Sequence, residues 1–231
     1  MLLLAIDTSG KNGSLALALA EEGKSEAEIV ESVALAGGTF SAQLVPQIAA
    51  LLAKHSRAKS DLAGFVVVTG PGSFTGLRVG LAAIKALAEI LQKPIAAVSL
   101  LEAVACSSGK RGRILAVLDA GRAEVYVGDY ELANFPQVHS ERLLTRGEFL
   151  AELSAGKAGG EGKPVVMPDA ALAEIVRSAS VPCDLIPYPG AEVIARLGWQ
   201  HIQRGQTVRP EDLEANYIRR SDAEIFSKPR H

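Results

Sequence analysis

The same strand–turn–strand pattern occurs twice in this chain. Within residues 2–20, two apolar runs flank the turn-forming stretch TSGKNG, which predicts a β-hairpin. The pattern returns within residues 114–130, and in each copy an aspartate ends the first strand, Asp7 and then Asp119, 112 residues later. Similarity at a fixed spacing indicates a duplicated structural unit. We therefore expect two similar domains.

The length agrees with that division. A chain of 231 residues exceeds the roughly 150 typical of one domain, which leaves one large domain or two modest ones. The repeat favours two: residues 1–103 with a C-terminal segment at about 206–231, and a smaller domain at 104–205. Apolar residues make up 48% of the chain and aromatic residues only 5%. A core of Ala, Val, Leu and Ile is typical of an α/β protein whose sheets are covered by helices.

A crossover unit is predicted between the two hairpins. A buried strand at 65–69, the glycine-rich loop GPGSFTG, a helix at 77–92 and a strand at 95–100 follow one another, which predicts two parallel strands joined by a helix. An amphipathic helix is predicted before this unit, from Ser41 as N-cap to Lys54. Its apolar face is Leu44, Val45, Ile48, Leu51 and Leu52.

The second half carries weaker patterns. These predict helices at 145–153, 170–179 and 191–204, a strand at 165–167, and a loop at 154–164. Gly205 is placed to end the last of these helices.

Charge and cysteine content exclude several classes of protein. The 24 basic and 26 acidic residues are spread evenly, so no segment has the excess of cations that binding to a phosphate backbone needs. Cys106 and Cys183 form neither a disulfide framework nor a metal knuckle. No uncharged apolar run is long enough for a membrane span or a signal peptide. We expect a cytoplasmic protein.

Motifs for metal or nucleophile chemistry are missing as well. The four histidines are separated by 84, 62 and 30 residues, so no helical pair is available to bind a metal. No Gly-x-Ser-x-Gly elbow is present. A P-loop needs Gly-Lys-Ser/Thr, whereas Gly76 is followed by Leu77 and Arg78. The sequence predicts no self-contained metal or catalytic site.

The glycine-rich loop has two interpretations. Its amides and the following helix start suit an anion, or its glycines simply permit a tight turn. Gly76, Gly80 and Ala83 also form a stripe of small residues where another helix can approach closely, in the core or at a subunit contact. If the stripe is a subunit contact, Gly80→Arg abolishes association.

The first hairpin turn is also open to two interpretations. Asp7, Thr8 and Ser9 can face a phosphate and a metal-bound water, or they can form a turn that only shapes the hairpin. The first of these leads to our alternative function, an actin-fold ATPase or small kinase that uses Asp7 and Asp119 at a metal–nucleotide site.

The motifs together resemble a known family. The duplicated hairpin, with Asp-Thr-Ser first and LDAGRAEVYVGDY second, resembles the actin-like ATPase (ribonuclease H-like) fold of sugar kinases and heat-shock ATPases. With GPGSFTGLRVG, FSAQLVPQI and PEDLEANYIRR, the chain is similar to the TsaB/YeaZ family throughout its length. That family supplies the dimerisation subunit for synthesis of N6-threonylcarbamoyladenosine (t6A) at position 37 of tRNA.

The resemblance implies a non-catalytic subunit with no metal. Its partners would be the catalytic paralogue TsaD, the ATPase TsaE and a second copy of itself, with tRNA reached only through the complex. It implies no intrinsic cofactor, although weak or interfacial ATP or ADP binding is compatible with it. Asp7, Thr8, Ser9 and Asp119 would be a vestigial nucleotide site. The partner interface would comprise Ser41, Leu44, Ile48, Gly72, Ser73, Phe74, Thr75, Gly76, Arg78, Gly80, Ala83 and Leu87.

The resemblance assigns two further segments and shows one departure. The family's second-domain hairpin corresponds to Asp119 through Tyr126, and its C-terminal signature to Tyr217, Ile218 and Arg219. Many relatives have His-Ser where this chain has Phe40-Ser41. We therefore expect an apolar rather than a polar contact at position 40.

Overall fold

A computed structural model describes residues 1–155 and 163–218 of the chain. Most of the loop predicted at 154–164 lies outside these residues, as do Arg219 and the end of the predicted C-terminal segment. The described residues form two five-stranded mixed sheets, each flanked by helices. This confirms the α/β fold class with two actin-like units.

The first sheet contains the first five strands in the order β3-β2-β1-β4-β5. β1 and β2 form the predicted hairpin, and β4, helix α2 and β5 form the predicted parallel crossover. The bounds are β1 Leu2–Asp7, β2 Gly13–Leu19, β3 Glu28–Leu35, α1 Phe40–Lys54, β4 Leu62–Gly70, α2 Phe74–Leu91 and β5 Ile95–Ser99.

The second sheet repeats this topology. Its order is β10-β9-β6-β7-β8, so that β6 and β7 correspond to β1 and β2, and β9 pairs parallel to β6 as β4 does to β1. The bounds are α3 Leu100–Ser107, β6 Gly112–Gly121, β7 Glu124–Leu132, β8 Pro136–Thr145, α4 Arg146–Ser154, β9 Val165–Met167, α5 Ala170–Ser178, β10 Asp184–Leu185 and α6 Ala191–Gln203. The duplication predicted from the hairpins is therefore confirmed.

The two sheets lie in a layered arrangement. α1 and α2 cover one face of the first sheet, and α6 packs on its other face. α3 lies between the sheets and contacts both, while α4 and α5 cover the far face of the second sheet. One consequence is that α1 and α2 form an outermost layer, with one side in the core and the other facing solvent.

The central strand β1 shows how the sequence produces these layers. It is buried along its whole length, and its side chains alternate between two cores. Leu2, Leu4 and Ile6 pack beneath α1 and α2, whereas Leu3 and Ala5 face α6. Such a strand reads as a continuous apolar run because both of its faces are covered.

Two helix starts differ from the prediction. α1 begins at Phe40 with Thr39 in the N-cap position, so Ser41 is inside the helix and does not cap it. The ring of Phe40 is buried against Gly13, which makes the expected apolar contact an internal one. α2 begins at Phe74 rather than Leu77, because the Ser73 side chain accepts a hydrogen bond from the Gly76 amide and caps the helix three residues earlier.

Sequence patterns missed four of the strands and helices: β3, β8, β10 and α3. β10 has only two residues, which is too short for a pattern. β3 and β8 are edge strands whose residues are mostly exposed or half-buried, so their apolar alternation is weak. α3 crosses the predicted domain division at residue 103, and six of its eight residues are apolar. A short apolar run of this kind does not distinguish helix from strand.

The strands of the two sheets lie in the two predicted segments, but the helix α6 packs on the sheet of the other segment. β1 to β5 lie within residues 1–103 and β6 to β10 within 104–205. α6, which the prediction includes in the second domain, packs on the first sheet. Gly198 brings it close to β4, because a Cβ at this position would overlap Val66. The segment 104–205, predicted as the second domain, therefore includes a helix that packs on the first sheet.

None of the helices in the described ranges combines the length and apolar character needed to cross a membrane.

A buried His–Glu pair connects α6 to α3. His201 Nε2 lies 2.9 Å from Glu102 Oε1, and Nδ1 lies 3.1 Å from the Ala97 carbonyl oxygen. Burial alone would lower the pKa of His201, and Arg204 also acts to lower it. The hydrogen bond and charge of Glu102, with the Ala97 carbonyl, outweigh these effects, so the pKa is raised above its ordinary value of about 6.5.

This pair predicts pH-dependent stability. Because the folded-state pKa of His201 is raised, its stabilisation is fully present below the unfolded-state value of about 6.5 and is lost as the pH rises through the folded-state pKa. Urea unfolding across that window should show the free energy of unfolding falling with pH, and His201→Gln should flatten the dependence. Replacing the exposed His139 with Gln is the control. An unchanged slope in His201→Gln would contradict the assignment.

Candidate functional site

A cleft of about 1320 Å³ opens between the two sheets. Both hairpin turns contribute to its walls, Ser9 to Lys11 from the first and Asp119 to Arg122 from the second. The glycine-rich loop, the start of α2 and the segment 216–218 complete it. The duplicated motifs predicted from the sequence therefore face one shared space.

The glycine-rich loop rests directly on the first hairpin turn. The Ser73 amide donates a hydrogen bond to the Ser9 carbonyl oxygen at 2.7 Å. A Cβ on Gly72 would lie 2.5 Å from the same oxygen. Gly70 has a φ of +134°, a conformation that glycine adopts without strain. These glycines therefore permit a close turn, which supports the plainer of the two interpretations of the loop.

Two of the three small residues of the stripe on α2 are internal, whereas Ala83 is half-buried. Gly76 and Gly80 are buried, and a Cβ on either would overlap Thr8. The Thr8 hydroxyl donates a hydrogen bond to the Gly76 carbonyl oxygen at 2.8 Å, which holds the helix against the end of β1. The Gly80→Arg test therefore fails as a probe of association, because the substitution would disrupt the core of the subunit.

Asp7 is enclosed by its own turn. Only 2% of its surface is exposed, and Oδ1 accepts hydrogen bonds from the Ser9 amide at 2.8 Å and the Ser9 hydroxyl at 2.6 Å. Burial raises the pKa of the Asp7 carboxyl, although these bonds from Ser9 favour its charged form. The arrangement is that of an Asx turn, which fits the interpretation of Asp7, Thr8 and Ser9 as a turn that shapes the hairpin.

Asp119 lies on the cleft and is engaged by a cation. Its Oδ1 is 3.0 Å from an Arg146 guanidinium nitrogen and also accepts a hydrogen bond from the Gly121 amide. Arg122 and Ala123 at the tip of this hairpin have φ values of +53° and +60°, so both central residues of the turn are left-handed. Across residues 1–155 and 163–218, no group of three or more His, Cys, Asp or Glu residues is placed to bind a metal ion.

An exposed aromatic cluster marks the start of α2. The rings of Phe74 and Tyr217 have centroids 5.2 Å apart, and the Arg78 guanidinium lies 3.6 Å from the centre of the Phe74 ring. Arg78 Nε also donates a hydrogen bond to the Tyr217 hydroxyl at 3.3 Å. The C-terminal signature residue Tyr217 thus meets two residues of the predicted interface. Arg78 and Tyr217 are 139 positions apart in the sequence, and no local pattern indicates their contact.

The predicted interface residues divide into two groups. Exposed or half-buried members are Ser41, Gly72, Ser73, Phe74, Thr75, Arg78, Ala83 and Leu87. Buried members are Leu44, Ile48, Gly76 and Gly80, which belong to the core beneath the helices. A buried residue cannot contact another chain directly, so these four would act only by shaping the helices.

The solvent side of α1 and α2 supplies candidates that the prediction left out. Val45 is 63% exposed and Ile90 is 71% exposed, and most exposed positions near them are small and apolar, although Gln47 and Glu89 are also exposed. We refer to this surface as the outer helix face, formed by Ala42, Val45, Ala49, Ala82, Ala86 and Ile90. Val45 had been assigned to the buried face of α1, because it is adjacent in sequence to Leu44.

Comparison with known proteins identifies the family. The family model described as "TsaD: tRNA N6-adenosine threonylcarbamoyltransferase" matches residues 28–150. This chain belongs to that family.

Within the family, the chain is similar to proteins named TsaB. It is 40% identical over 136 residues to the tRNA threonylcarbamoyladenosine biosynthesis protein TsaB of Bacillus subtilis, a match that spans 58% of this chain and 57% of that protein. It is 26% identical to TsaB of Escherichia coli, and this match covers 96% of both chains.

A solved structure agrees over nearly the whole chain. YeaZ from Pseudomonas aeruginosa superposes with a TM-score of 0.74 at 27% identity, covering 94% of this chain and 99% of that one. The resemblance to the TsaB/YeaZ family and the actin-like fold is therefore confirmed.

The contact between α2 and Thr8 gives a stability prediction. Gly80→Ala should lower the free energy of unfolding by about 1–3 kcal/mol, because the added methyl group overlaps the Thr8 side chain. Gly147→Ala in α4 is the matched control, since a Cβ there meets no atom within 4 Å. It should leave stability unchanged or raise it by up to about 1 kcal/mol. Equal urea midpoints for Gly80→Ala and wild type would contradict the close approach.

Proposed function

We propose that this chain is an accessory subunit in t6A biosynthesis that binds a TsaD-type catalytic protein through the outer helix face. The observation that carries the proposal is this exposed apolar face on α1 and α2, in a chain whose similar relatives are named for t6A biosynthesis. Its role would be to bind its partner and favour the partner's active arrangement.

The composition of the face suits a helix–helix contact. An amphipathic helix at the surface of a monomer normally presents polar side chains to water, whereas these two helices carry mainly alanine, valine and isoleucine there, with Gln47 and Glu89 beside them. Small side chains let the backbones of two helices approach closely. A stable interface buries roughly 1,600 Å² in total, so the contact would extend beyond the six residues of the face.

The cleft supports a binding role rather than catalysis by this chain. Arg146 pairs with Asp119, and Asp7 is buried with its Oδ1 held by the Ser9 amide and hydroxyl, so neither carboxylate is presented as a free metal ligand. The shared cleft is compatible with the alternative function, an ATPase or small kinase, but the engaged carboxylates make it the weaker of the two proposals. Weak or interfacial ATP or ADP binding stays a prediction, as do TsaE and self-association as partners.

Substitutions on the outer helix face test the proposal. Ala49→Arg in α1 and Ala86→Arg in α2 each add a long charged side chain at an exposed position, so folding should be unaffected while TsaD binding weakens at least about tenfold. Ala151→Arg, at an exposed position of α4 on the far side of the molecule, is the matched control. Co-purification and calorimetry measure binding, and sedimentation shows whether self-association uses the same face.

Reconstituted tRNA modification tests the role itself. With TsaD and the remaining components present, t6A formation should fall when this chain is omitted or replaced by either outer-face variant, and it should be normal with Ala151→Arg. Full activity in the absence of the chain would refute the accessory role. Normal TsaD binding by both outer-face variants would refute the surface assignment alone.

A further inference from the structure

We propose that Glu141 and Asn216 are positioning residues for partner binding: together they hold the aromatic cluster at the start of α2 in place from the second sheet. The inference rests on the proposed function, because Phe74 and Arg78 belong to the predicted partner surface. It adds that this surface depends on a contact between the two halves of the molecule.

Glu141 is the point where three parts of the chain meet. It lies on β8 of the second sheet, and its Oε1 accepts hydrogen bonds from the Tyr130 and Ser99 hydroxyls. Tyr130 is buried on β7, and Ser99 caps α3 at the end of β5 in the first sheet. Oε2 accepts a hydrogen bond from the Asn216 side-chain amide at 2.7 Å. Hydrogen bonds to a charged acceptor are stronger than bonds between neutral groups.

Asn216 belongs to a segment that is held by a buried side chain before it and by backbone contacts at Asn216 itself. We call residues 213–218 the strap. Leu213 is buried in the core beneath α1 and α2. The Asn216 amide donates a hydrogen bond to the Thr69 carbonyl oxygen at 2.8 Å, and the Asn216 carbonyl oxygen would lie 2.7 Å from a Cβ on Gly70. The strap therefore crosses the end of β4 immediately before the glycine-rich loop.

The next residue of the strap reaches the partner surface. The Tyr217 ring lies against the Phe74 ring at an interplanar angle of 34°, and its hydroxyl accepts a hydrogen bond from Arg78, so Tyr217 contacts both side chains. Tyr217 is adjacent to Asn216, and only one peptide unit separates the Glu141 contact from the aromatic cluster. A substitution of Glu141 is therefore expected to alter the positions and exchange rates of residues in the first turns of α2.

A compensating pair of substitutions tests this connection. Asn216→Asp places two carboxylates against each other and should release the strap. Adding Glu141→Gln to Asn216→Asp restores a donor and an acceptor with the roles exchanged. Glu214→Gln, an exposed change within the strap, is the matched control. Hydrogen exchange of peptides covering residues 213–218 and 74–80 is the readout, because it requires no partner.

We expect exchange to rise about tenfold in both peptides for Asn216→Asp and to return close to the wild-type rate in the double variant. TsaD binding should weaken and recover in parallel. Faster exchange in 213–218 with no change in 74–80, or a double variant that does not recover, would overturn the positioning role. If Asn216→Asp does not fold, Asn216→Ala, which removes the side-chain amide without adding charge, replaces it, and the criterion is then a rise in exchange in both peptides; faster exchange in 213–218 alone would overturn the positioning role.

The exchange data separate the two proposals. If wild-type protein does not bind TsaD at all, the proposed function fails, while the response of peptide 74–80 still decides whether Glu141 and Asn216 position the cluster.

Discussion

The close approach of α2 to the end of β1 is the contact on which the rest of the arrangement depends. Because Gly76 and Gly80 carry no side chain, the helix backbone lies against Thr8, and the Thr8 hydroxyl can reach the Gly76 carbonyl oxygen. That position places the glycine-rich loop on the first hairpin turn and turns the solvent side of α2 outward. The positions of the cleft walls and of the outer helix face therefore both depend on glycine at residues 76 and 80.

The duplicated hairpin made most of the fold predictable. Strands buried on both faces, such as β1 and β4, appear as continuous apolar runs, and these were placed to within a few residues. The edge strands β3 and β8 were missed because their side chains are only partly buried, which weakens the alternation. Helix starts were misplaced where capping decides them: the Ser73 hydroxyl, rather than the first periodic leucine, determines where α2 begins.

The candidate site was predictable in its members but not in their orientation. Sequence spacing correctly grouped Gly76 and Gly80 on one side of a helix, yet it could not tell whether that side faced the core or another chain. Val45 was assigned to the wrong side because an exposed valine next to a buried leucine looks like part of the same apolar run. The contact between Glu141 and Asn216 joins residues 75 positions apart and leaves no local pattern.

The alanines on the solvent side of α1 and α2 have a consequence for how partners are distinguished. Alanine has no side-chain rotamers to lose on burial, so covering this face costs little conformational entropy. The face also offers few charges with which to steer or reject an approaching protein. If the proposed interface is used by both a second copy and another family member, discrimination between them would come from the fit of the two backbones. In that case, replacing a single alanine of the outer helix face with a larger residue would be expected to change which partner binds.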